Sequence, residues 1–505
     1  MKRKYFLLIA LISFSFLKAQ NSTDALRYSI ENIHGTARFN ALSGAFGALG
    51  GDLSAIGINP AGSSVFLQNT VAVTLSVHNQ QNDIFYFNSS TSQGYTDIDV
   101  NNAGGVWVLD MYDENSNWKK IALAINYNSN SNFDNELNAI GNSNNTIGDY
   151  FLTQAQGVAL DFLELRNGES ISDLYAYLGE TQGVASQNAF LGYQGYLFDP
   201  VENTSDNTAY TSNLGTGSYS QDYKLLSRGF KGKYSFNLST QYTDRLFFGI
   251  NFNGHTIDYR QGTFLSERNS NSNSKIKRID FENNLSVLGN GFSMQLGAIV
   301  KVDDKIRLGI TYDTPTWYTI SEETSQFLET DRIENNETIT TTINPLIINV
   351  FNDYKLTTPG KIAGSAAYIF GKKGLISLDY SFKDFSSITF KPLSNSHFQS
   401  QNEIIANSLK GSSSLKIGGE YRIQQFSLRG GVNYAESPYK DKNILGDHRG
   451  FSLGLGYNMG NYALDFSYNR GEQKSTQLLY GSNYSNSYFL TTTTNNFLIT
   501  LGFNL

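Results

Sequence analysis

Residues 451–459 read Phe-Ser-Leu-Gly-Leu-Gly-Tyr-Asn-Met, with a large apolar side chain at every second position and a small or polar one between. That alternation marks a β-strand with one greasy face. It recurs at 71–77, 121–127, 306–312 and 462–468, and again at the chain end, where Phe497, Ile499, Leu501, Phe503 and Leu505 share a face. The period predicts fourteen strands: 70–78, 104–112, 118–129, 227–242, 246–260, 289–302, 305–320, 359–370, 374–388, 412–422, 425–434, 449–459, 461–470 and 494–505. The connections between them alternate. Short ones fall at 113–117, 242–245, 303–304, 371–373, 423–424 and 460; long ones fall at 79–103, 130–226, 261–288, 321–358, 389–411, 435–448 and 471–493. Nothing in a soluble sandwich enforces that rule. A transmembrane barrel does, with tight periplasmic turns at one rim and long external loops at the other. An even strand number lets the first strand pair with the last and leaves no edge in lipid. The expected fold class is all-β: a 14-stranded antiparallel transmembrane β-barrel, both termini on the periplasmic side.

Charge on the polar phase agrees. Arg307, Glu420, Arg422 and Asp465 alternate with apolar residues and would face the lumen. An Arg on the lipid face at mid-membrane would cost ~2–4 kcal/mol. Trp118, Tyr312, Trp317, Tyr318, Tyr457 and Tyr468 stand near strand ends, where aromatic girdles form. The phase slips once near Gly254, where Ile257 and Tyr259 change face. Either a bulge or the upper limit of the lipid-facing wall would explain that.

The first 19 residues predict a secretory signal: Lys2-Arg3-Lys4, an apolar run over 5–16, and cleavage after Ala19. Its removal takes Lys2, Arg3, Lys4 and Lys18 with it and moves the formal charge from -7 to -11. So acidic a chain is not a nucleic-acid binder. No later stretch offers ~18 continuous apolar residues, so an exported chain of this kind enters a membrane only as a barrel. The absence of Cys removes disulfides, thiolate catalysis and Cys-ligated metals.

Residues 20–69 precede the first strand, and within them 35–69 are rich in Gly and Ala with one Asn-Pro-Ala-Gly turn. This stretch is expected to fold as a plug, or hatch, inside the barrel formed by 70–505. Gly44, Gly47, Gly50, Gly51, Gly57 and Gly62 allow positive φ and close packing. Asn59, Pro60, Ala61 and Gly62 form the turn, with Pro60 fixing φ and Asn59 capping. Arg38 and Asp52 are the hatch charges expected to be paired in the lumen, because an unpaired buried charge is costly. These glycines serve either a deformable gate or an immobile filler.

The 130–226 connection opens on an Asn/Ser run and then turns helical. Phe151, Leu152, Ala155, Ala159, Leu160, Phe162 and Leu163 come near helical spacing, followed by Leu174, Tyr175, Tyr177 and Leu178. Such apolar helices on an external loop are either a self-packed cover or the walls of a hydrophobic landing groove. In the second case Phe151, Leu152, Phe162, Leu163, Tyr175 and Leu178 would touch ligand outside, and Phe46 and Leu49 on the hatch would touch it inside. The histidines, at 34, 78, 255, 397 and 448, show no metal spacing. His78 and His255 lie on strands but lack a nucleophile motif to serve. No catalytic residue, metal or cofactor is expected.

Several stretches together resemble the FadL/TodX family of outer-membrane channels. ARFNALSGAFGALGGDLSAIGINPAG is similar to that family's N-terminal hatch with its NPA turn, and NGFSMQLGAIVKVDDKIRLGITYDTPTW to its paired central strands. LTTPGKIAGSAAYIFGKKGLISLDYSFKDFS and SSLKIGGEYRIQQFSLRGGVNYAESPY are similar to the strands that follow. Ser63-Ser64-Val65 after the turn departs from the pattern, as does the length of 130–226. The resemblance implies a hatch-blocked barrel in the outer membrane of a Gram-negative bacterium. It would take up long-chain fatty acids or aromatic hydrocarbons passively, by hatch rearrangement and an opening in the wall. The partners so implied are a hydrophobic small molecule and outer-membrane lipid, with the chain a monomer. A second reading keeps the fold but makes the barrel a protein-docking component of a secretion or surface-attachment system.

Overall fold

The computed structural model describes residues 21–111, 116–481 and 484–505. The expected signal peptide lies outside them, as does most of the first short turn. The wall consists of β1 (Thr70–Tyr86), β2 (Ser89–Asp110), β3 (Trp118–Asn132, continued by Asn135–Ser143), β4 (Tyr219–Tyr242), β5 (Leu246–Arg268) and β6 (Ile276–Lys301). It goes on through β7 (Ile306–Asp313, then Thr316–Glu334), β8 (Tyr354–Thr358, then Lys361–Ile369), β9 (Gly374–Asp384) and β10 (Gly411–Ile423). It ends with β11 (Phe426–Ala435), β12 (His448–Asn458), β13 (Tyr462–Leu478) and β14 (Ser487–Asn504). Each strand pairs antiparallel with its neighbour, and β1 pairs with β14 from Thr70↔Asn504 to Phe85↔Phe489. The cylinder is therefore closed with fourteen strands. No described helix is long and apolar enough to cross a membrane.

The apolar phase points outward. Val71, Val73, Leu75, Ile310 and Leu453 are exposed, while Ala72, Thr74 and Ser76, which alternate with the first three, are buried. Trp118, Tyr312 and Trp317 are exposed outside as a girdle requires, but Tyr318 is buried inside against His255. Adjacent strand residues cannot share a face, so the girdle takes Trp317 and loses Tyr318. Replacing outward Leu453 with Arg is expected to cost about 2–4 kcal/mol in a bilayer, whereas Gln81→Arg, outward but above the lipid, should cost less than about 1 kcal/mol. Denaturant unfolding of both variants in lipid vesicles checks this.

The long connections are largely strand. β1 runs on to Tyr86 and β2 returns from Ser89, so 79–103 is mostly hairpin. Likewise β5 reaches Arg268 and β7 reaches Glu334, with the return strand Glu337–Ile343 beside it. Asn130 to Asn132, expected as the start of the long connection, is also strand. Above the lipid the outward face of these strands turns polar while much of the inward face turns apolar, as at buried Ile84, Leu265, Phe281 and Leu328, so the alternation seen in the lipid-facing part is lost although the backbone continues. The slip at Gly254 has the same origin. β5 keeps its register through Gly254 on both sides, so there is no bulge. Asn251, Asn253, Ile257 and Tyr259 all point inward and are buried, with exposed Arg260 outside. The chemistry of the two faces exchanges where the wall leaves the membrane.

What fills the lumen changes with height. At the periplasmic end lies the hatch: α2 (Ala37–Ala41), α3 (Leu53–Ile56) and a 3-10 turn, Pro60–Val65. Higher up, α1 (Ser22–Ser29) packs Leu26 and Tyr28 among inward Ile257, Tyr259, Val287, Ile320 and Leu356. The 389–411 connection joins this layer through α7 (Ser396–Ser408), whose Phe398 and Ile405 are buried there. At the top, α4 (Ile147–Ala155), α5 (Ile171–Thr181) and α6 (Val184–Gln194) close the external mouth.

Candidate functional site

Three short polar caps shape the hatch. Thr36 caps α2, Asp52 caps α3 by accepting the Ser54 N–H at 2.9 Å, and Asn59 Oδ1 caps the 3-10 turn from the Ala61 N–H at 3.1 Å. The Thr36 hydroxyl also donates to Asp52 at 2.8 Å, which ties the first two caps together. Gly50 and Gly51 both take positive φ, at 62° and 68°, and the Gly51 N–H reaches the Gly62 carbonyl at 3.1 Å. A Cβ on Gly50 would lie 2.6 Å from Val65, so both space and φ require glycine there.

The wall holds this plug through its lumen-facing amides, hydroxyls and charges. Asn251 donates to the Ile56 carbonyl at 2.8 Å, Asn237 to Pro60 at 2.9 Å, and Gln295 to Gly57 and Ile58 at 3.1 Å each. Asp379 accepts the Phe46 and Gly47 N–H groups at 3.0 and 2.9 Å. Arg307 donates to the Leu49 carbonyl at 2.8 Å. The hatch backbone thus exchanges water for wall side chains, as a buried loop must. The expectation for the hatch charges is met for one of them. Arg38 pairs with wall Glu420 at 2.9 Å, and Glu420 also holds Arg422 and Arg429, the last of which holds Asp465. Asp52 forms no ion pair among the described residues; it is used up as a helix cap.

The hatch is a septum between two cavities. Below it is a periplasmic depression of about 600 Å³ bordered by Arg38, Leu49, Gly50, Gly51 and Asp52. Above it is a lumenal cavity of about 420 Å³, bordered by Ile33, Phe39 and Ile58 of the hatch and by a largely polar wall. Phe46 does not reach the upper cavity. It is buried in the hatch core against Phe39, ring centroids 5.6 Å apart, and Leu49 faces the lower side. Phe39, not Phe46, is the aromatic that meets the lumen, because the Phe46 backbone is drawn to the wall by Asp379.

The wall itself is interrupted beside the upper cavity. β2 and β3 are laddered only from Asn102↔Asn128 to Asp110↔Lys120. Above that, β2 pairs with β1 alone and β3 with β4 alone. Side chains bridge the gap: Gln93 to Glu136 at 3.2 Å and Tyr95 to Asp134 at 3.3 Å. Asn101 is an extra residue between the Thr74↔Asn102 and Leu75↔Val100 pairs, a bulge at the foot of the gap. Its Oδ1 accepts the Gly35 N–H at 2.5 Å, and the Asn32 N–H reaches the Asn130 carbonyl at 3.4 Å. The hatch segment 32–35 therefore lines the gap from inside.

The profile of the family described as outer membrane protein transport protein (OMPP1/FadL/TodX) matches residues 200–505. The chain belongs to that family. It is an outer-membrane transport barrel. Two solved structures share the fold: a Pseudomonas aeruginosa FadL homologue (TM-score 0.55, 12% identity, 94% of this chain and 99% of that one) and the P. putida toluene transporter TodX (TM-score 0.52, 12% identity, 94% and 99%). Among curated proteins, none matches the chain in sequence.

Of the two readings of its external helices, cover and landing groove, this FadL/TodX-family barrel shows the packing of a cover. Phe151, Leu163, Tyr175 and Leu178 are buried in the external cap, and Leu152 and Phe162 pack partly buried against it. The helices of 130–226 pack as a cover, with most of their apolar side chains buried against one another and Tyr177 left half exposed. Residues 346–350 leave a run of apolar side chains in water: Leu346 is 82% exposed, Ile348 63% and Val350 64%. Sequence alternation missed them because they belong to no long strand.

The cap also contains a titrating carboxyl. Glu267, at the top of β5, is buried; it accepts the Ile147 N–H at 2.9 Å, the Thr146 hydroxyl and the Gln221 amide. Burial pushes it from the ordinary 4.5 up to about 7, and Asp149 adds a like charge nearby. The folded cap therefore keeps a proton that the unfolded chain has lost between those values. The contribution of Glu267 to cap stability is full below about 4.5, declines as pH rises and is gone above about 7. The full effect is up to ~3 kcal/mol. Hydrogen exchange of amides 147–155, corrected for intrinsic rate, should show easier opening at pH 8 than at pH 5. Glu267→Gln should flatten that difference.

Proposed function

We propose that the chain is a channel for passive uptake of hydrophobic small molecules, long-chain fatty acids or aromatic hydrocarbons, across the outer membrane. The observation that carries this reading is the hatch as a septum, with a cavity on each side and a broken wall ladder beside the upper one. A solute collected at Leu346, Ile348 and Val350 would pass the cap, rest above Phe39, and leave through the β2–β3 gap once segment 32–35 moves. The toluene transporter TodX shares this fold, which supports an aromatic cargo alongside the fatty-acid one. Arg38, Gly50, Gly51, Asp52, Asn59, Pro60, Ala61 and Gly62 then form the body of the plug, and segment 32–35 its moving part. No catalytic step is involved, and the closed wall works as a monomer.

Uptake of radiolabelled oleate and toluene by a host lacking channels of this kind tests the proposal. The chain should accelerate one or both in proportion to the outside concentration. A Cys pair introduced across the gap, at Gln93 and Glu136, should suppress that uptake when oxidised and restore it when reduced. The sealed cap favours a second reading, in which the barrel docks a secreted or surface protein. Unaccelerated uptake of both solutes by a correctly inserted chain would leave that reading in place of the first.

A further inference from the structure

The lumenal cavity carries more positive charge than its own acids offset. Lys233, Lys361, Lys383 and Lys416 come from β4, β8, β9 and β10 and all border it. Its central acid is Glu31, on the extended segment between α1 and α2. Lys361 Nζ lies 2.8 Å from Glu31 Oε2 and Lys383 Nζ 3.4 Å from Oε1. Lys361 also pairs with Asp313 at 3.0 Å, Lys383 donates to the Ser29 carbonyl at 2.8 Å and Lys233 to Gly57 at 3.3 Å. Lys416 has no hydrogen bond or ion pair among the described residues. Asp379 stands opposite it on the β9–β10 ladder, but the Asp379 carboxylate is turned down to the hatch amides of Phe46 and Gly47. Glu436, Arg470 and Glu472 border the cavity on its other side, and Glu436 already accepts the Ser413 N–H at 3.0 Å.

We infer that this is an anion-exchange site whose resident occupant is the hatch's own Glu31. The ligand is an amphiphile with one carboxylate. Its oxygens take the place of the Glu31 carboxylate between Lys361 and Lys383 and also engage Lys416, while its apolar body lies on Ile33, Phe39 and Ile58. A buried cation cluster cannot be left without a counter-charge, so one anion replaces another and a neutral molecule cannot drive the exchange. The consequence reaches the wall. Glu31 immediately precedes the segment whose Asn32 and Gly35 amides cover the β2–β3 gap from inside. Release of Glu31 frees that segment, so arrival of the ligand loosens the cover over its own exit. This rests on the transport reading only for how the ligand reaches the lumen.

The test is calorimetric titration of the full-length mature chain, in a nonionic maltoside detergent, with octanoate and with 1-octanol, blanks in detergent alone being subtracted. Octanoate should bind the wild type. Lys416→Met should weaken it roughly tenfold or more, at the strength of a charge-assisted hydrogen bond. Glu31→Gln should tighten it roughly tenfold, because a tethered competitor at millimolar effective concentration is removed. Octanol should respond to neither substitution. Without octanoate, Lys416→Met should melt close to wild type, since the ammonium has no hydrogen bond or ion pair among the described residues to lose. Equal octanoate affinity in all three proteins, the same pattern with octanol, or a marked fall in Lys416→Met melting temperature would each overturn the site. Oleate uptake that neither substitution changes would sink the site and leave the channel standing. The predicted binding pattern in a chain that accelerates no uptake would do the reverse.

Discussion

Gly297→Val should unseat the hatch and turn a closed barrel into a conducting one. Gly297 on β6 and Gly249 on β5 face each other across the ladder. Together they make the socket for the Asn59-Pro60 turn. A Cβ on Gly297 would lie 2.0 Å from Asn59 Oδ1 and 2.7 Å from Pro60 Cδ, and one on Gly249 would lie 2.3 Å from the Pro60 carbonyl carbon. The turn has no free direction to yield into, because Asn59 is tied both to Gly47 and to the Ala298 carbonyl of the same strand. Overpacking of this kind costs about 1–3 kcal/mol. That converts to a roughly five- to 150-fold rise in the unseated fraction. Current through single molecules in a planar bilayer reads it directly. Gly364→Val is the control, since a Cβ there meets open space. A Gly297 variant as quiet as that control would show that the socket does not hold the hatch.

Glu420→Ala should be among the most destabilising single changes in the barrel. Its carboxylate is fully buried and holds three guanidinium groups: Arg38 of the hatch and Arg422 and Arg429 of the wall. Removing it leaves those cations facing one another with only Asp465, on Arg429, and Asp52, near Arg38, as acids beside them. Breaking a buried pair by deleting one partner costs about 3–5 kcal/mol. Arg38→Met should cost much less, because Glu420 keeps Arg422 and Arg429. Asp52→Asn should cost less still, since an amide oxygen can accept the same cap bonds. Thermal or denaturant melting of the three variants should follow that order. A Glu420→Ala barrel as stable as Arg38→Met would mean that the network contributes little and that the hatch is held by its backbone bonds.

The lipid-facing wall was legible from residues such as Phe451, Leu453 and Leu455, since water, lipid and a two-residue repeat leave few alternatives. Legibility stopped at the height of Gly254 in β5, where Ile257 and Tyr259 keep pointing inward but meet an apolar filling instead of a polar one. There the rule relating side-chain polarity to facing inverts, and only the strand register tells. The site was less legible than the wall. Arg38 could be marked as needing a partner, but Glu420 lies 382 positions along the chain. Phe46 and Phe39 are equivalent in sequence; the Asp379 carboxylate decides which of them meets the cavity. The wall glycines at 249, 297 and 454 read as polar-phase filler until the hatch is placed against them.

From its residues alone this chain was committed to a closed, greasy-sided barrel plugged by its own N-terminus, because alternating polarity and the need to satisfy every backbone group in lipid are local constraints. The tertiary structure decided what the plug touches, that the external helices form a cover, and where the wall comes apart. Those depend on which distant side chains meet, and a period of two carries no information about that.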